Sequence, residues 1–546
     1  MPTLLKRYRD DRGVTKYLRS LASAVVARDG ELLEDDYSVQ TLFSRPKGQG
    51  RPTLWPTHLT FSGLFGSFEK SRGDDKRPGG IPVGGIRLGA LVEASGGFLI
   101  IQANEFLEIP HAWSALKSCL MSGKLDLFDS ENQSLFTAPN TRPDPIPLDV
   151  KVVLIGDYQS YDTLIESDSE FSRVFKVRVD FDVEVGRKRS IVTRSLPRAI
   201  AGICRREDLR HLNRIAVSRV IEYAVRRAGR KSKISIEFSA IADLLREANF
   251  WAQRRNRRTI GEAEIKYALR EGVHRVNLLE TKISEMISDG VILIDTVGTR
   301  IGQVNGLAVY DQGDYQFGKP SRITAETSMG RDGIINIERE SGLSGRSHDK
   351  GVQILGGFLR ARFAQSRPLS LTASVCFEQS YQGVDGDSAS STEIYAILSS
   401  LSGLPIRQDI AVTGSVNQKG DIQPIGGVNE KIEGFFDCVI AEKPTGKEGV
   451  IIPRRNVPDL MLREDVVRAV RAGRFTIYAI ETVEEGIEIL TETKAGKLRK
   501  NGTYAVETVF RRVDQRLEEL ARGMKDHSST RESTRKDDTI SPMAAR

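Results

Sequence analysis

Residues 384–403 read VDGDSASSTEIYAILSSLSG, in which a run of small and acidic residues precedes an apolar segment. The apolar residues from Ile394 to Leu401 recur at the spacing of one helix face, which predicts a helix over about 389–402. Ser388 then lies at or just before the helix N-terminus, where unpaired backbone N–H groups and the helix dipole favour negative charge. On this stretch alone, Ser388 is either an acyl-transfer nucleophile or a helix cap.

A serine nucleophile needs a base, and the sequence shows no evident Ser/His/Asp arrangement. His348, the single histidine between about 290 and 490, lies in the polar stretch SGRSHDKG and is one candidate. Lys431 is the other, because a Gly-Gly pair and Asn429 predict the start of a helix that places Lys431 in its first turn. The helix dipole disfavours a cation there, and burial would lower the pKa of the amine further, so that it accepts a proton. The alternative is an ordinary solvated lysine.

Two motifs, G-D-S-A-S and P-I-G-G-x-x-x-K, together resemble those of the proteolytic domain of Lon proteases, in the wording of the B-type branch. The segments GQVNGLAV, GKPSRITAET, SYQGVDGDSAS and VTGSVNQKGDIQPIGGVNEKIEGFF extend the resemblance over about 290–490. It implies that Ser388 is the nucleophile, Lys431 the general base and Thr413 the residue whose hydroxyl orients the lysine. Asp385 matches an acidic residue ahead of the nucleophile, with its role left open. The implied enzyme is a serine endopeptidase working by two-step acyl transfer.

The rest of the chain predicts a multidomain α/β protein. FLIIQA and VKVVLIG predict buried strands, and HAWSALKSCLMSG predicts a helix between them, which is typical of a parallel α/β sheet. By the resemblance, the fold comprises a degenerate AAA+-like α/β module, a helical lid subdomain and a Lon-type proteolytic domain. The predicted segments are 1–60 (helical and linker), 61–182 (AAA+-like module), 183–288 (wholly helical lid), 289–493 (proteolytic domain), 494–523 (C-terminal helix) and 524–546 (disordered tail).

The resemblance implies an ATPase module, but this chain departs from its motifs. Gln102 and Ala103 stand where the Walker B acid and the base are expected, and neither can supply a carboxylate to Mg²⁺. The sequence holds no G-x-x-x-x-G-K-[ST] phosphate loop, and its glycines over 84–97 favour turns and tight packing. Arg173 matches an arginine-finger-like position. We therefore expect no required cofactor, with ATP and Mg²⁺ bound only if a further N-terminal portion supplies the phosphate loop.

The composition, 546 residues with 39% hydrophobic and 28% charged, is ordinary for a globular protein of several domains. No apolar run approaches a membrane helix and the start MPTLLKRYRDD lacks a signal-peptide core, so we expect a cytoplasmic protein without a membrane partner. The four scattered cysteines and six scattered histidines disfavour a disulfide framework or zinc site. The basic clusters RKSK (230–233) and QRRNRR (253–258), on predicted helices, are either contacts for DNA or acidic substrate, or solvated helix faces.

These features predict a Lon-type serine endopeptidase that degrades unfolded or damaged proteins in protein quality control, without ATP hydrolysis by this chain. The resemblance implies a homo-oligomeric ring, expected to be a hexamer, with Ser388 facing an inner chamber. One alternative is an ATP-dependent Lon protease cut short before its phosphate loop, against which Gln102 argues. A second is a non-hydrolytic, chaperone-like ring scaffold, against which the joint retention of Ser388, Lys431 and Thr413 argues. A third is a DNA-binding regulator with peptidase ancestry, which predicts an affinity that falls steeply with salt.

Overall fold

The computed structural model describes residues 2–27, 41–45, 48, 50–68, 86–129, 144–313, 315–381, 383–441, 445–500 and 502–537. The chain forms two compact units, Met1–Asp180 and Phe181–Arg546. Two glycines of the predicted glycine-rich patch, Gly84 and Gly85, lie outside the described residues, as does the last part of the predicted tail.

The first unit contains short helices and strands around a small sheet. Its helices are α1 (Pro2–Arg7), α2 (Arg12–Ala27), α3 (Phe61–Phe65), α4 (Ala90–Glu93), α5 (Ala103–Leu107), α6 (Ala112–Ser122), α7 (Tyr158–Ser167) and α8 (Phe171–Val174). Its strands are β1 (Thr53–Leu54), β2 (Ser67–Phe68), β3 (Ile86–Arg87), β4 (Phe98–Gln102), β5 (Lys124–Leu125), β6 (Phe128–Asp129), β7 (Ile146–Pro147) and β8 (Lys151–Ile155).

The central sheet of this unit has the order β1-β4-β8 and is parallel, as the sequence predicted. Leu99 and Ile101 of β4 are buried and pack with Leu116 of α6. The prediction that β8 is a buried strand is wrong for one of its faces, since Val153 and Ile155 are 42% and 40% exposed. The reason is that Val152 and Leu154 point to the face that packs on the core, whereas no core cluster of the described residues covers the opposite face.

The first part of the second unit is largely helical, and α9 to α12 share one core. Its elements are β9 (Glu184–Gly186), a π-helix (Ile191–Ser195), α9 (Leu196–Arg206), α10 (Arg214–Arg227), β10 (Lys233–Ser235), α11 (Phe238–Arg254), α12 (Glu262–His274) and α13 (Leu278–Ser288). The prediction of a wholly helical region is wrong at one point, because β9 and β10 form a small antiparallel sheet. The stretch KIS carries too short an apolar signal to be distinguished from a helix end.

The two basic clusters lie mostly outside helices, contrary to the prediction. Residues 230–233 form a turn that leads into β10, and α11 ends within 253–258. Lys233 lies 2.8 Å from a Glu184 carboxylate oxygen, so one cation of the first cluster is ion-paired. This pairing weakens the argument for a nucleic-acid surface at 230–233.

The remainder of the second unit is a mixed α/β arrangement. Its strands are β11 (Thr299–Arg300), β12 (Gln303–Asp311), β13 (Gln316–Ser328), β14 (Gly333–Asn336), β15 (Thr372–Phe377), β16 (Ile406–Arg407), β17 (Ile410–Val412), β18 (Ser415–Val416), β19 (Ile422–Gln423), β20 (Gly449–Pro453) and β21 (Thr476–Ile480). Its helices are α14 (Ile337–Glu340), α15 (Arg346–Phe363), α16 (Ser390–Ser402), α17 (Val428–Ala441), a 3₁₀ helix (Arg454–Asp459), α18 (Glu464–Arg471), α19 (Val483–Thr491) and α20 (Val509–Asp537).

The main sheet has seven strands in the order β14-β15-β13-β12-β17-β20-β21, and the last four are parallel to one another. Side chains alternate along each strand, so each face receives a core of its own. Val412 of β17 packs in the core that contains α16, whereas Ala411 packs in the core that contains α17. The two helices therefore lie on opposite faces, and both begin near the residue that follows β17, Thr413.

The C-terminal helix differs from its prediction at both ends. It begins at Val509 rather than at 494, because Gly496 and Gly502 adopt positive φ angles of 94° and 77° that break a helix. It ends at Asp537 rather than at 523, through a segment rich in Arg, Glu and Lys, which are good helix formers. The predicted disordered tail beginning at 524 is therefore wrong as far as Asp537.

Candidate active site

The structure brings Ser388, Lys431 and Thr413 together. The Lys431 Nζ donates to Ser388 Oγ at 2.8 Å and to Thr413 Oγ1 at 3.2 Å. The Lys431 and Thr413 side chains are 3% and 1% exposed, whereas Ser388 is only partly buried. The buried lysine is thus held by two hydroxyl groups, of which one belongs to the candidate nucleophile.

Burial lowers the pKa of Lys431 to about 8, and the nearby Asp387 carboxylate opposes this by favouring the ammonium form. A lysine with such a pKa is neutral in a substantial fraction of molecules near neutral pH. It can therefore accept a proton from the serine hydroxyl with which it shares a hydrogen bond. An ordinary lysine on the surface would remain protonated under the same conditions.

The Ser388 loop is fixed to the segment that follows β17. The Ser388 carbonyl oxygen accepts from the Gly414 N–H at 2.8 Å and from Thr413 Oγ1 at 3.3 Å, and Ser391 N–H donates to the Gly414 carbonyl at 3.0 Å. Helix α16 begins at Ser390, close to the predicted start. Among the described residues, no acceptor is bound by the backbone N–H of Ser388 or Ala389, so both are available to a developing oxyanion.

Close packing places α17 where Lys431 reaches the serine. A methyl group at Gly434 would lie 2.1 Å from the Gly318 carbonyl oxygen, so the helix approaches β13 at backbone distance. Asn429 lies inside α17, which starts at Val428, and is not the predicted cap. Instead its side chain binds the Asp459 carbonyl and the Met461 N–H, which anchors the turn that carries Lys431.

The helix of Lys431 is also tied to the helical part of the same unit. Arg226 of α10 donates to both carboxylate oxygens of Glu433, at 2.9 and 2.7 Å. The Glu433 side chain is 8% exposed and accepts a further bond from the Arg463 N–H at 2.7 Å. A bidentate ion pair with a nearly buried carboxylate therefore fixes α17 two residues beyond Lys431.

The two acidic residues of the nucleophile loop have different roles, and sequence reasoning named only one of them. Asp385 accepts from the Gly386 and Ser347 N–H groups, which hold its pKa below the usual range, and it fixes the loop to the start of α15. Asp387 acts on the pKa of Lys431 and accepts from Ser415 Oγ at 2.6 Å. The sequence held one signal for the role of Asp387. Thr413 and Ser415 are two residues apart in an extended segment, so their side chains lie on the same side of it, and the partner of Asp387 is therefore near the partner of Lys431.

His348, the other candidate base, does not face the serine. Its side chain is 1% exposed in the first turn of α15 and its Nε2 lies 3.5 Å from Glu393 Oε1 of α16. Burial lowers the pKa of the imidazole. No contact between His348 and Ser388 is present among the described residues, so the geometry favours Lys431 as the base.

The residues predicted at the nucleotide-binding positions lie in the first unit. Gln102 ends β4 and is partly buried, Ala103 opens α5 and is 3% exposed, and the Arg173 side chain is 76% exposed with Glu170 3.7 Å away. A methyl group at Gly97 would lie 2.1 Å from the Pro52 carbonyl oxygen, which supports tight packing as the reason for this glycine. The position that should carry an acid therefore presents an amide at the end of the strand.

Two classes of site find no support in the described part of the chain. No group of three or more His, Cys, Asp or Glu side chains there is arranged to hold a metal ion. No helix in the described ranges combines the length and the apolar character needed to cross a bilayer.

Three family models match the chain in succession. They are a LonB-like AAA domain over residues 49–182, an archaeal LonB AAA+ ATPase LID domain over 211–275, and a Lon protease C-terminal proteolytic domain over 380–492. Together they define the class of protein as a proteolytic domain joined to an AAA-type module with its lid. This confirms the predicted fold class and the B-type resemblance.

Curated relatives lead to the same family. A Lon protease homolog of Escherichia coli is 33% identical over 432 residues, which cover 78% of this chain and 70% of the homolog. A Lon protease homolog of Haemophilus influenzae is 29% identical over 79% of this chain and 70% of its own length. An archaeal Lon protease of Thermococcus kodakarensis is 28% identical over 64% of this chain and 52% of its own length. The chain belongs to the Lon protease family.

Proposed function

We propose that the chain is a serine endopeptidase in which Ser388 and Lys431 form the catalytic dyad. The observation that carries the proposal is the 2.8 Å contact between the amine of Lys431, a residue that is 3% exposed, and the hydroxyl of a serine two residues before the start of a helix. Thr413 holds the amine on its other side at 3.2 Å. Asp385 and Asp387 shape the loop and its charge.

The reaction begins when neutral Lys431 accepts the Ser388 hydroxyl proton as Oγ attacks the carbonyl carbon of the scissile peptide. The backbone N–H groups of Ser388 and Ala389 stabilise the oxyanion, at about 3 kcal/mol for each donor. Lys431 then passes the proton to the leaving amine, and the C–N bond breaks to give an ester on Ser388. In the second step Lys431 takes a proton from water, the hydroxide attacks the ester, and the proton returns to Ser388 as the new carboxyl end departs.

We further propose that this chain cleaves without hydrolysing ATP. Gln102 and Ala103 lack the carboxylates that hold Mg²⁺ and activate water in AAA+ ATPases, and the sequence holds no phosphate loop. The AAA-type module then serves as a scaffold. No cofactor is required in this scheme.

Unfolded or damaged proteins are the proposed substrates, cleaved inside a hexameric ring in the cytoplasm. The match to a Lon proteolytic domain supports protein substrates. The four cysteines are free thiols, in agreement with a reducing compartment. DNA binding stays a prediction with less support, because the first basic cluster is partly ion-paired.

The test is degradation of casein by the wild type, by Ser388→Ala and by Lys431→Met, each with and without Mg-ATP. We expect cleavage without ATP that both substitutions abolish. Lys419→Met is the matched control, because it removes an exposed lysine from the neighbouring loop and leaves the dyad intact. Cleavage only with ATP would contradict the scaffold role of the module, and cleavage by Ser388→Ala would contradict the dyad.

A further inference from the structure

Three titratable side chains with partnerless atoms meet behind the nucleophile loop. Among the described residues, Glu338 Oε2, His348 Nε2 and Glu393 Oε1 are buried side-chain atoms without a hydrogen-bond partner. The three residues are 3%, 1% and 1% exposed. Buried polar groups are nearly always hydrogen-bonded, so three orphans in one place indicate a function or a proton that has not been assigned.

His348 and Glu393 face each other across the two helices that hold the loop. His348 Nε2 lies 3.5 Å from Glu393 Oε1, and the Phe377 ring packs edge-on against the imidazole at 5.3 Å, which limits its rotation. Two acceptors in this position would repel each other and both would stay unpaired. A single proton between them gives each atom a partner.

The pair is connected to the nucleophile loop through the start of α15. The Asp385 carboxylate accepts from the Ser347 N–H at 3.2 Å, and the His348 backbone also lowers its pKa. A methyl group at Gly345 would lie 2.4 Å from Asp385 Cγ, so the Asp385 side chain packs directly against the backbone at the start of α15. Glu393 lies in the first turn of α16, directly after the loop.

We propose that His348 and Glu393 share one proton and act as positioning residues that hold the Ser388 loop between α15 and α16. This inference rests on the proposed dyad and adds a condition for its activity. Loss of the shared proton leaves a second buried carboxylate charge, on Glu393, beside the Glu338 carboxylate, and the neutral imidazole offers at most one N–H to the two acids. The contact then opens and the loop loses its support.

Burial, together with the nearby carboxylates, favours the form of the pair in which Glu393 is protonated. Burial, with a smaller contribution from Glu338, raises the pKa of Glu393 to about 8. Burial lowers the pKa of His348, against the opposing charges of Glu338, Asp349 and Asp385. Near neutral pH the proton therefore resides on Glu393 and the imidazole is neutral. Activity, which rises as Lys431 loses its proton, is therefore expected to pass through a maximum near pH 8 and to fall at higher pH as Glu393 loses its proton.

The test is the pH profile of hydrolysis of a short unstructured peptide from about pH 6 to about pH 10. Glu393→Gln keeps an uncharged donor facing His348, so we expect kcat at pH 7 within about twofold of the wild type and no loss at alkaline pH. Glu393→Ala removes the contact, so we expect kcat to fall by about tenfold or more with KM little changed. Tyr395→Phe is the matched control, because it deletes another buried, partnerless atom from α16 and should change neither quantity.

A Glu393→Ala variant with wild-type kcat, or a Glu393→Gln variant with the wild-type alkaline loss, would overturn the proposal. Thermal unfolding of the same proteins tests the shared proton without relying on activity. The folded state binds this proton more tightly than the unfolded state, so the wild type should lose stability as pH rises from about 5 to about 8. Glu393→Gln should lose less. If Ser388→Ala still cleaves, the dyad fails while the unfolding series continues to judge the shared proton.

Discussion

The rate of peptide cleavage should follow the fraction of Lys431 that is neutral. With a pKa of about 8, about one tenth of the lysine is neutral at pH 7, compared with about three parts in ten thousand at the ordinary value of 10.5. Burial therefore increases the reactive fraction by about 300-fold at that pH. Below pH 8 we expect kcat/KM to rise about tenfold for each pH unit, because one proton must leave before the reaction.

Asp387 provides the perturbation, because its carboxylate raises the pKa of Lys431 while burial lowers it. Asp387→Asn removes that charge without changing the size of the side chain. We expect the acid limb of the kcat/KM profile to move to lower pH by about half a unit to one unit, which corresponds to about 3- to 10-fold in relative rate on the limb. The assay is initial-rate hydrolysis of a quenched fluorescent peptide across that limb.

Asp385→Asn is the matched control, since Asp385 lies in the same loop but binds backbone N–H groups. It should reduce the maximum rate and leave the midpoint of the acid limb unchanged. An unchanged midpoint in Asp387→Asn would refute the assignment of the limb to Lys431. So would a midpoint near 10 in the wild type, because the lysine would then be no better a base than one in solution.

Thr413→Val keeps the shape of the side chain but loses the 3.2 Å contact with the lysine, so kcat should fall by about tenfold with little change in KM, measured on the same peptide. Gly434→Ala forces a methyl group against a β13 carbonyl oxygen and should lower the free energy of unfolding by about 2–4 kcal/mol in a denaturant titration. Gly426→Ala is the control, because the glycine has open space around it, and it should cost under about 1 kcal/mol in the same titration. Arg226→Ala removes the charged partner of the nearly buried Glu433 carboxylate, which keeps the bond from the Arg463 N–H, and should cost about 2 kcal/mol in the free energy of unfolding. Glu464→Gln, which breaks a more exposed ion pair between the same two regions, should cost under about 1 kcal/mol; equal losses would show that burial does not decide the effect.

The sequence was sufficient to predict the two helices of the site, because each depends on a local pattern of residues. Helix α16 was predicted to within one residue because its apolar positions repeat at helical spacing, and Lys431 was predicted in a first turn because glycines break the chain before it. The Ser388–Lys431 pairing came from the family resemblance and from no local signal. The structure brings the two together.

What the sequence did not reveal depends on contacts between distant segments. The burial of His348 was missed, because a polar stretch such as SGRSHDKG gives no sign that its histidine faces a glutamate on another helix. The acidic partner of Lys431 was missed because Asp385 and Asp387 differ only in which way the loop turns. The C-terminal helix was misplaced because tertiary contacts, with Phe510 buried in the main core, decide where it begins.

The dyad joins two layers of the protein that fold on opposite faces of one sheet. Ser388 precedes a helix in one core and Lys431 lies on a helix in the other, so the 2.8 Å contact exists only when both layers are packed. In a partly folded chain the lysine is hydrated, its pKa returns toward the ordinary value, and the serine has no base. If Ser388 and Lys431 are the dyad, as proposed, completion of folding is itself the activation step, and a chain that is still folding cannot digest its neighbours.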